Sequence, residues 1–235
     1  MSNDDQLSLI IRSLSLTDNS LEHLITNQDE LTLALDLAEN YGLKITHNND
    51  LYSLENNLKI LDKTIIYKHL ELLNSDDDID LSIKDFVNTT TDEFNPREIK
   101  SNELKISIAE FQKQGRGRQN RKWFSPFGAG ISCSIFKHLP KNTNPIGLSL
   151  YLGISIIDAL VEIGFHGIQL KWPNDLYYKD KKLGGILVDI YQNSDLESVI
   201  SVGMGINYCL PNNKNFNYDT KKSPIDLCSI ANDET

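Results

Sequence analysis

The chain has 235 residues, 40% of them apolar and 24% charged, with 23 Lys and Arg against 33 Asp and Glu for a net charge of −10. That composition supports a soluble folded core and excludes wholesale disorder, and its acidity opposes a protein whose main partner is a phosphate backbone. The most apolar run, 146–160, is broken by Gly147, Ser149, Gly153, Ser155 and Asp158 and is too short for a membrane span. The acidic start MSNDDQ is no secretory signal, and three cysteines (Cys133, Cys209, Cys228) without CxxC spacing exclude a disulfide framework or a self-evident zinc site and suit a reducing cytoplasm.

Residues 1–60 hold three basic and ten acidic side chains, a net −7, while the other 175 carry −3. Leu7, Ile10, Ile11 and Leu14 fall at i, i+3, i+4, i+7, which predicts an amphipathic helix. Ser20 before LEHLI predicts the N-cap of a second helix. A third helix is predicted over 29–40, with Leu31, Ala34, Leu35 and Ala38 on one face and Gly42 at its stop. LKITHNNDLYSL then predicts two short strands around Asn48-Asn49-Asp50. Three helices and a small β-wing have the layout of a winged helix-turn-helix over 1–62. Its reading helix, however, offers Asp29, Glu30, Asp36 and Glu39 and no cation, so the expected role is packing rather than DNA binding.

The acidic run NSDDDID at 74–80 reads as an exposed connection. Beyond it, strands are predicted at 79–87, 104–112, 130–137, 168–171, 183–190 and 198–206. The stretch 145–163 is apolar nearly all round and predicts a buried helix across a sheet. Strands outnumber helices without strict alternation, so the expected fold class is α+β with a mixed sheet.

Three segments of this second part, 63–235, carry chemistry. GRGRQNRKWFSPFGAG places Arg116, Arg118, Arg121 and Lys122 among Gly115, Gly117, Gly128 and Gly130. Guanidinium forks match phosphate or carboxylate oxygens, and glycines admit close backbone approach, so the loop suits a nucleotide phosphate better than an RNA contact. Trp123 is a candidate purine stacker or a core residue. KWPNDLYYKDKKLGG reads as a strand end, a turn at Pro173-Asn174-Asp175 and a returning strand, with Lys171, Asp175 and one later lysine meeting at a hairpin mouth. GMGIN, ending at Asn207, puts two glycines and an amide at a strand end.

Taken together, GRGRxxRxW with SPFG, KWPND, KLGGIL and GxGIN, in this order over about 85–207, resemble the catalytic domain of bacterial biotin protein ligases, the biotin–[acetyl-CoA-carboxylase] ligases. VNTTTDEF resembles a worn form of the family's Asp-Ser-Thr-Asn element, and AEFQKQGRGR its strand into the biotin loop. The resemblance implies a biotinyl-lipoyl ligase fold of the class II aminoacyl-tRNA synthetase type behind a winged-helix domain. It implies that biotin attacks the α-phosphate of ATP to give biotinoyl-5′-AMP, and that a lysine of the biotin carboxyl carrier protein then takes the biotinoyl group.

Under that resemblance Arg118, Lys182 and Asp175 are the catalytic set. Biotin is held by Thr89, Thr90, Gln112, Gly115, Arg116, Gly117, Arg118, Lys182, Gly184 and Gly185, and the nucleotide by Arg118, Arg121, Trp123, Lys171, Asn174 and Asn207. Lys182 meets the reacting carboxylate, Asp175 helps deprotonate the acceptor amine, and Lys179 and Lys181 are solvated. Mg²⁺ is expected with ATP, without a legible ligand set. The family has a glycine where Asn120 stands, a residue that tolerates left-handed backbone. The family also continues into an SH3-like barrel, which is expected to be missing from a chain ending at Thr235, after an adenine-side loop at 212–217. A homodimer through the catalytic sheet is compatible with the resemblance. An operon repressor and a lipoyl ligase are the competing functions.

Overall fold

The computed structural model describes residues 2–16, 27–48, 51–54, 58, 60–72, 75–140, 143, 145–192, 198–211 and 223–233. The expected second helix at Ser20 and the loop at 212–217 lie outside them.

Helix α1 (Asn3–Leu16) buries Leu7, Ile10, Ile11 and Leu14, the four residues whose spacing predicts it. Burial of each such side chain contributes about 1.5–3 kcal/mol. Helix α2 (Gln28–Asn40) starts at Asn27, whose side chain accepts from the Asp29 amide, and ends before Gly42 at φ 94°. Its Leu31, Ala34 and Ala38 are buried, and its four carboxylates are exposed. Strands β1 (Ile45–Asn48) and β2 (Leu51–Leu54) pair antiparallel, with His47 stacked on Tyr52.

This N-terminal part packs against the main sheet. Leu7, Ile11, Ala38 and Leu43 share one apolar cluster with Phe111 and Phe127. Arg12 grips Asp85 through both nitrogens, Nε at 2.8 Å and a terminal nitrogen at 2.5 Å, and Ser8 donates to the same carboxylate. Lys113 pairs with Asp4 beside them.

Helix α3 (Lys63–Glu71) follows, with Asp62 as its N-cap; no periodicity drew attention to it in the sequence. The main sheet has seven strands in the order β3-β4-β5-β9-β8-β7-β6: β3 (Asp78–Val87), β4 (Glu103–Gln112), β5 (Gly130–Leu139), β6 (Gln169–Lys171), β7 (Asp175–Tyr178), β8 (Lys181–Gln192) and β9 (Ser198–Asn207). Only β3 and β4 run parallel, joined by a crossover containing two short 3₁₀ turns; the other pairs are antiparallel, as a mixed sheet requires. The acidic run is only partly a connection, because Asp78 to Asp80 already belong to β3. The six expected strands are all present, and β7 is added: the chain turns at 172–174, pairs back as β7, and turns again through Lys179 and Asp180, both at positive φ, into β8.

One face of the sheet is apolar. Ile66, Tyr67 and Leu70 of α3 pack on Leu81, Ile106 and Cys133. Helix α4 (Leu148–Glu162) and helix α5 (Leu227–Asp233) cover Leu176, Leu183 and Ile206. Helix α4 departs from expectation: only Gly153 and Leu160 are buried, while Tyr151, Ile154 and Val161 are exposed. The run is apolar all round, but a helix laid on a sheet covers only the stripe that faces it. Among the described residues no helix is long and apolar enough to cross a membrane.

Candidate active site

The opposite face of the sheet is lined by small residues. In register across β5, β9 and β8 stand Ser132, Gly205 and Gly185, and next to them Ser134, Gly203 and Leu187. Gly203, Gly205, Gly185 and Leu187 of this strip form the floor of a cleft of about 860 Å³, walled by the arginine loop, the 89–91 segment and the KWPND turn, while Ser132 and Ser134 are buried and bonded to Ser125 and Thr90.

The arginine loop folds back on itself. Arg116 bridges to Lys122, the Trp123 amide donates to the Gly115 carbonyl at 2.8 Å, and the Gly117 amide to the Arg121 carbonyl at 2.8 Å. At its tip Gln119 and Asn120 adopt left-handed backbone, φ 57° and 56°. Asn120 thus takes the conformation expected of a glycine substitute, and Gln119 adopts it without that chemical excuse, at a cost of about 1–2 kcal/mol. The loop drops the Trp123 ring onto Gly205, where any Cβ would come within 2.4 Å of the indole. Lys182 Nζ lies on that ring, 5.6 Å from its centroid, and 2.9 Å from Asp175 Oδ1. Asp175 and a later lysine therefore do meet at the hairpin mouth, and the lysine is Lys182. Lys171 sits instead over the Tyr177 ring, 4.7 Å from its centroid.

A β-bulge decides this arrangement. Leu176 pairs with Gly184 but Tyr177 with Lys182, so Leu183 is the extra residue. Strict alternation would put Leu183 in the cleft with Gly185 and aim Lys182 at the helices; the bulge inverts that. Leu183 is fully buried under α4 and α5, and Lys182 reaches the cleft.

Asn174 clamps the KWPND turn, which contains a cis Trp172–Pro173 bond. Its Nδ2 donates to the Ile186 carbonyl at 2.7 Å, the Ile186 amide donates to its carbonyl at 2.9 Å, and its Oδ1 accepts from Arg118 at 3.1 Å. Arg118 is thereby aimed from the loop toward the turn. At the other end Gln112 Oε1 accepts from the Thr90 amide at 2.9 Å and from the Thr89 and Thr90 hydroxyls at 3.2 Å, and Thr90 bonds Ser134 at 2.7 Å. These are buried groups held in one orientation.

Several expected site residues sit differently. Arg116 is paired with Asp92 and bonded to the Thr91 hydroxyl, both at 2.5 Å, so its fork is already committed; Asp92 was not singled out by the sequence. Arg121 bonds Gln119 at 2.8 Å and lies on the outer rim. Gly115 and Gly184 are not among the lining residues: a Cβ there would strike the Trp123 carbonyl at 2.4 Å and the Gly205 carbonyl at 2.6 Å, so each serves the packing of neighbouring backbone. Trp123 shows its ring to the cleft only in part. Asn207 lines the cleft, but its Nδ2 donates to the Ile225 carbonyl at 2.9 Å and the Lys182 carbonyl at 3.4 Å, holding the segment that brings Pro224 to the wall. Gly117, Thr89, Thr90, Gln112, Lys171 and Gly185 all line the cleft. Lys179 pairs with Asp233 at 2.6 Å, away from the cleft, and Lys181 is exposed. Trp172, Tyr177 and Met204 also line the cleft and were missed; Trp172 stands inside the KWPND motif, which was the available signal.

The model of the biotin/lipoate A/B protein ligase family matches residues 84–207, more than half of the chain and the part that builds this cleft. The chain belongs to that family. Among curated relatives, the bifunctional ligase/repressor BirA of Escherichia coli is 46% identical over 104 residues, 44% of this chain and 32% of the relative. BirA of Salmonella typhimurium is 36% identical over 162 residues, 68% of this chain and 48% of the relative. The chain thus spans about a third to a half of the length of these relatives. A mutant of the Aquifex aeolicus biotin protein ligase, solved in complex with biotin, is 29% identical with a TM-score of 0.52, over 65% of this chain and 61% of that one. The biotin protein ligase of Leishmania major, at 21% identity and TM-score 0.54 over 66% of this chain and 65% of that one, shares the fold. The large mixed sheet is therefore that of a ligase catalytic domain.

Proposed function

We propose that this chain is a biotin protein ligase: it joins biotin to ATP as biotinoyl-5′-AMP and passes the biotinoyl group to a lysine of the biotin carboxyl carrier protein of acetyl-CoA carboxylase, in the cytoplasm. The observation that carries the reading is the meeting of Lys182, Asp175, Trp123, Arg118 and Asn174 from three separate segments over a floor of Gly203, Gly205 and Gly185.

Bringing a carboxylate up to an α-phosphate sets two anions together, so fixed cations that need no reorganisation lower the barrier. Arg118, oriented by Asn174, serves the phosphate. Lys182, held between Asp175 and the Trp123 face, has N–H donors left for the carboxylate oxygen that attacks phosphorus. The C–O–P anhydride forms as the bond to pyrophosphate breaks. The buried Thr89, Thr90 and Gln112 network offers amide and hydroxyl groups to the polar ring of biotin. In the second step the acceptor amine attacks the acyl carbon, AMP leaves, and Asp175, the one carboxylate among the described lining residues, takes the amine proton.

Among the described residues no group of three or more His, Cys, Asp or Glu gathers as a metal site. Among the described residues there is thus no all-protein cage for Mg²⁺, and the expected ion would be held mainly by the phosphates of ATP, outside every step above. For the N-terminal part, the shared cluster with Phe111 and Phe127 and the Arg12–Asp85 pair favour a winged-helix-like unit kept for packing on the catalytic sheet. Biotin-dependent exchange of label between pyrophosphate and ATP tests the proposal. Exchange with biotin and none with lipoate is expected; no exchange with either, by folded protein, refutes it.

A further inference from the structure

The spacing of the three cysteines suggests no pairing, yet the fold brings two of them together. Cys209 follows the cleft strand β9 by two residues, and Cys228 is the second residue of α5. The Cys228 amide donates to the Tyr208 carbonyl at 2.9 Å, and the Cys209 amide to the Ala129 carbonyl at 3.1 Å. Asp226 ties the same two segments: one oxygen accepts from the Leu210 amide at 2.9 Å and the other from the Ser229 amide at 2.7 Å. A single hydrogen bond and its flanking covalent bonds separate the two cysteine backbones, so their Cα atoms lie no more than roughly 7 Å apart, within disulfide reach. The two thiols are near enough for each to act on the other's ionisation. Cys209 is exposed and Cys228 half-buried; Cys133 is enclosed under the sheet.

We infer that Cys209 and Cys228 are a redox pair, closed to an intrachain disulfide by a peroxide and reopened by thiol reductants, and that the closed form pins one wall of the cleft. The exposed Cys209 thiolate attacks the peroxide O–O bond, forming S–O and releasing hydroxide, which is protonated to water. The Cys228 sulfur then attacks the Cys209 sulfur; S–S forms, S–O breaks, and the departing hydroxide takes the Cys228 proton as a second water. Two thiols and hydrogen peroxide thus give one disulfide and two waters. Burial, with the Cys209 contact and Asp226 behind it, pushes the Cys228 thiol up to about 12, which slows its own reaction with peroxide and leaves the first attack to the exposed Cys209.

The wall follows from the neighbours. The Ile225 amide donates to the Lys182 carbonyl at 2.9 Å, Pro224 bridges to Lys182 and lines the cleft, and Asn207 holds the Ile225 carbonyl. A bond between Cys209 and Cys228 ties the end of β9 covalently to α5 beside this cluster. To test it, the reduced full chain is treated with equimolar hydrogen peroxide, quenched with an alkylating agent under denaturing conditions, and mapped by mass spectrometry. Loss of two hydrogens, a 209–228 cross-link reversible by dithiothreitol, survival of the reaction in Cys133→Ser, and its loss in Cys209→Ser and Cys228→Ser are expected. Sulfinic acid without a cross-link, a bond to Cys133, or a cross-linked dimer overturns the pairing. Amide exchange at Leu210, Ile225 and Cys228 is expected to slow about tenfold or more in the oxidised form; unchanged exchange overturns the pinning. Neither readout uses substrate, so the outcome is independent of the ligase reading.

Discussion

Glu110 is the most consequential titratable group outside the cleft. It lies on β4, 2% exposed, and one carboxyl oxygen accepts from the Leu61 amide at 2.5 Å, where the N-terminal part joins the sheet. Burial pushes its carboxyl from an ordinary 4.5 up to about 7; the Leu61 bond opposes this, nearby Asp85 adds to it, and Arg12 opposes it. The folded pKa lies above the unfolded one, so between pH 4.5 and 7 the native state holds a proton that the unfolded state has released. Stability from this group is full below pH 4.5, falls as pH rises to about 7, and stays low above it. A shift of this size corresponds to about 3 kcal/mol. Glu110→Gln keeps an oxygen for the Leu61 amide and cannot ionise. Its stability is expected to match wild type near pH ~4.5 and to exceed it by up to about 3 kcal/mol at pH ~8. At roughly 2–4 °C per kcal/mol this is readable in thermal melts, and urea titrations across the range give the free energies. Parallel pH profiles for the two proteins would refute the burial argument.

Three further outcomes follow from the cleft and its neighbours. Lys182→Ala is expected to lower biotin-dependent pyrophosphate exchange by about 10²–10³-fold, the usual cost of a lost charge-stabilising donor, while Lys181→Ala leaves it near wild type; equal rates for the two variants would remove Lys182 from its role. Gly205→Ala pushes a methyl group into the Trp123 ring and should cost about 1–3 kcal/mol, with red-shifted emission measured in a Trp172→Phe background; unshifted emission and unchanged melting would contradict the packing. Fluorescence anisotropy with the organism's biotin promoter, in the presence of biotin and ATP, should show no competitor-resistant binding at nanomolar protein, because α2 presents four carboxylates; saturable binding would mean that another surface reads the DNA.

Much of this protein is local in origin and so was legible in its sequence. Helices α1 and α2 announce themselves because one-sided burial imposes a 3.6-residue period, and Gly42 stops α2 because its backbone must turn left-handed. Six strands were visible for the same kind of reason, and the motifs marked the segments that line the cleft. Short elements were not: α3 has no fully buried residue to set a period, and β7 hides in a motif that reads as a turn. Nor does an apolar run tell how much of its circumference is covered, which is why α4 exposes Tyr151 and Ile154.

What tertiary structure alone decided is which side chains meet. Sequence names Lys182, Asp175, Arg118 and Trp123 but gives them no common face. One extra residue, Leu183, reverses the alternation of β8 and aims Lys182 at Asp175, and a bulge depends on pairing with β7, a partner several residues away. The commitment of Arg116 to Asp92, the burial of Glu110 beneath the N-terminal part, and the contact between Cys209 and Cys228 arise the same way. Local sequence sets the period of each element; the register between elements, fixed only when the sheet closes over its core, sets which groups share a site.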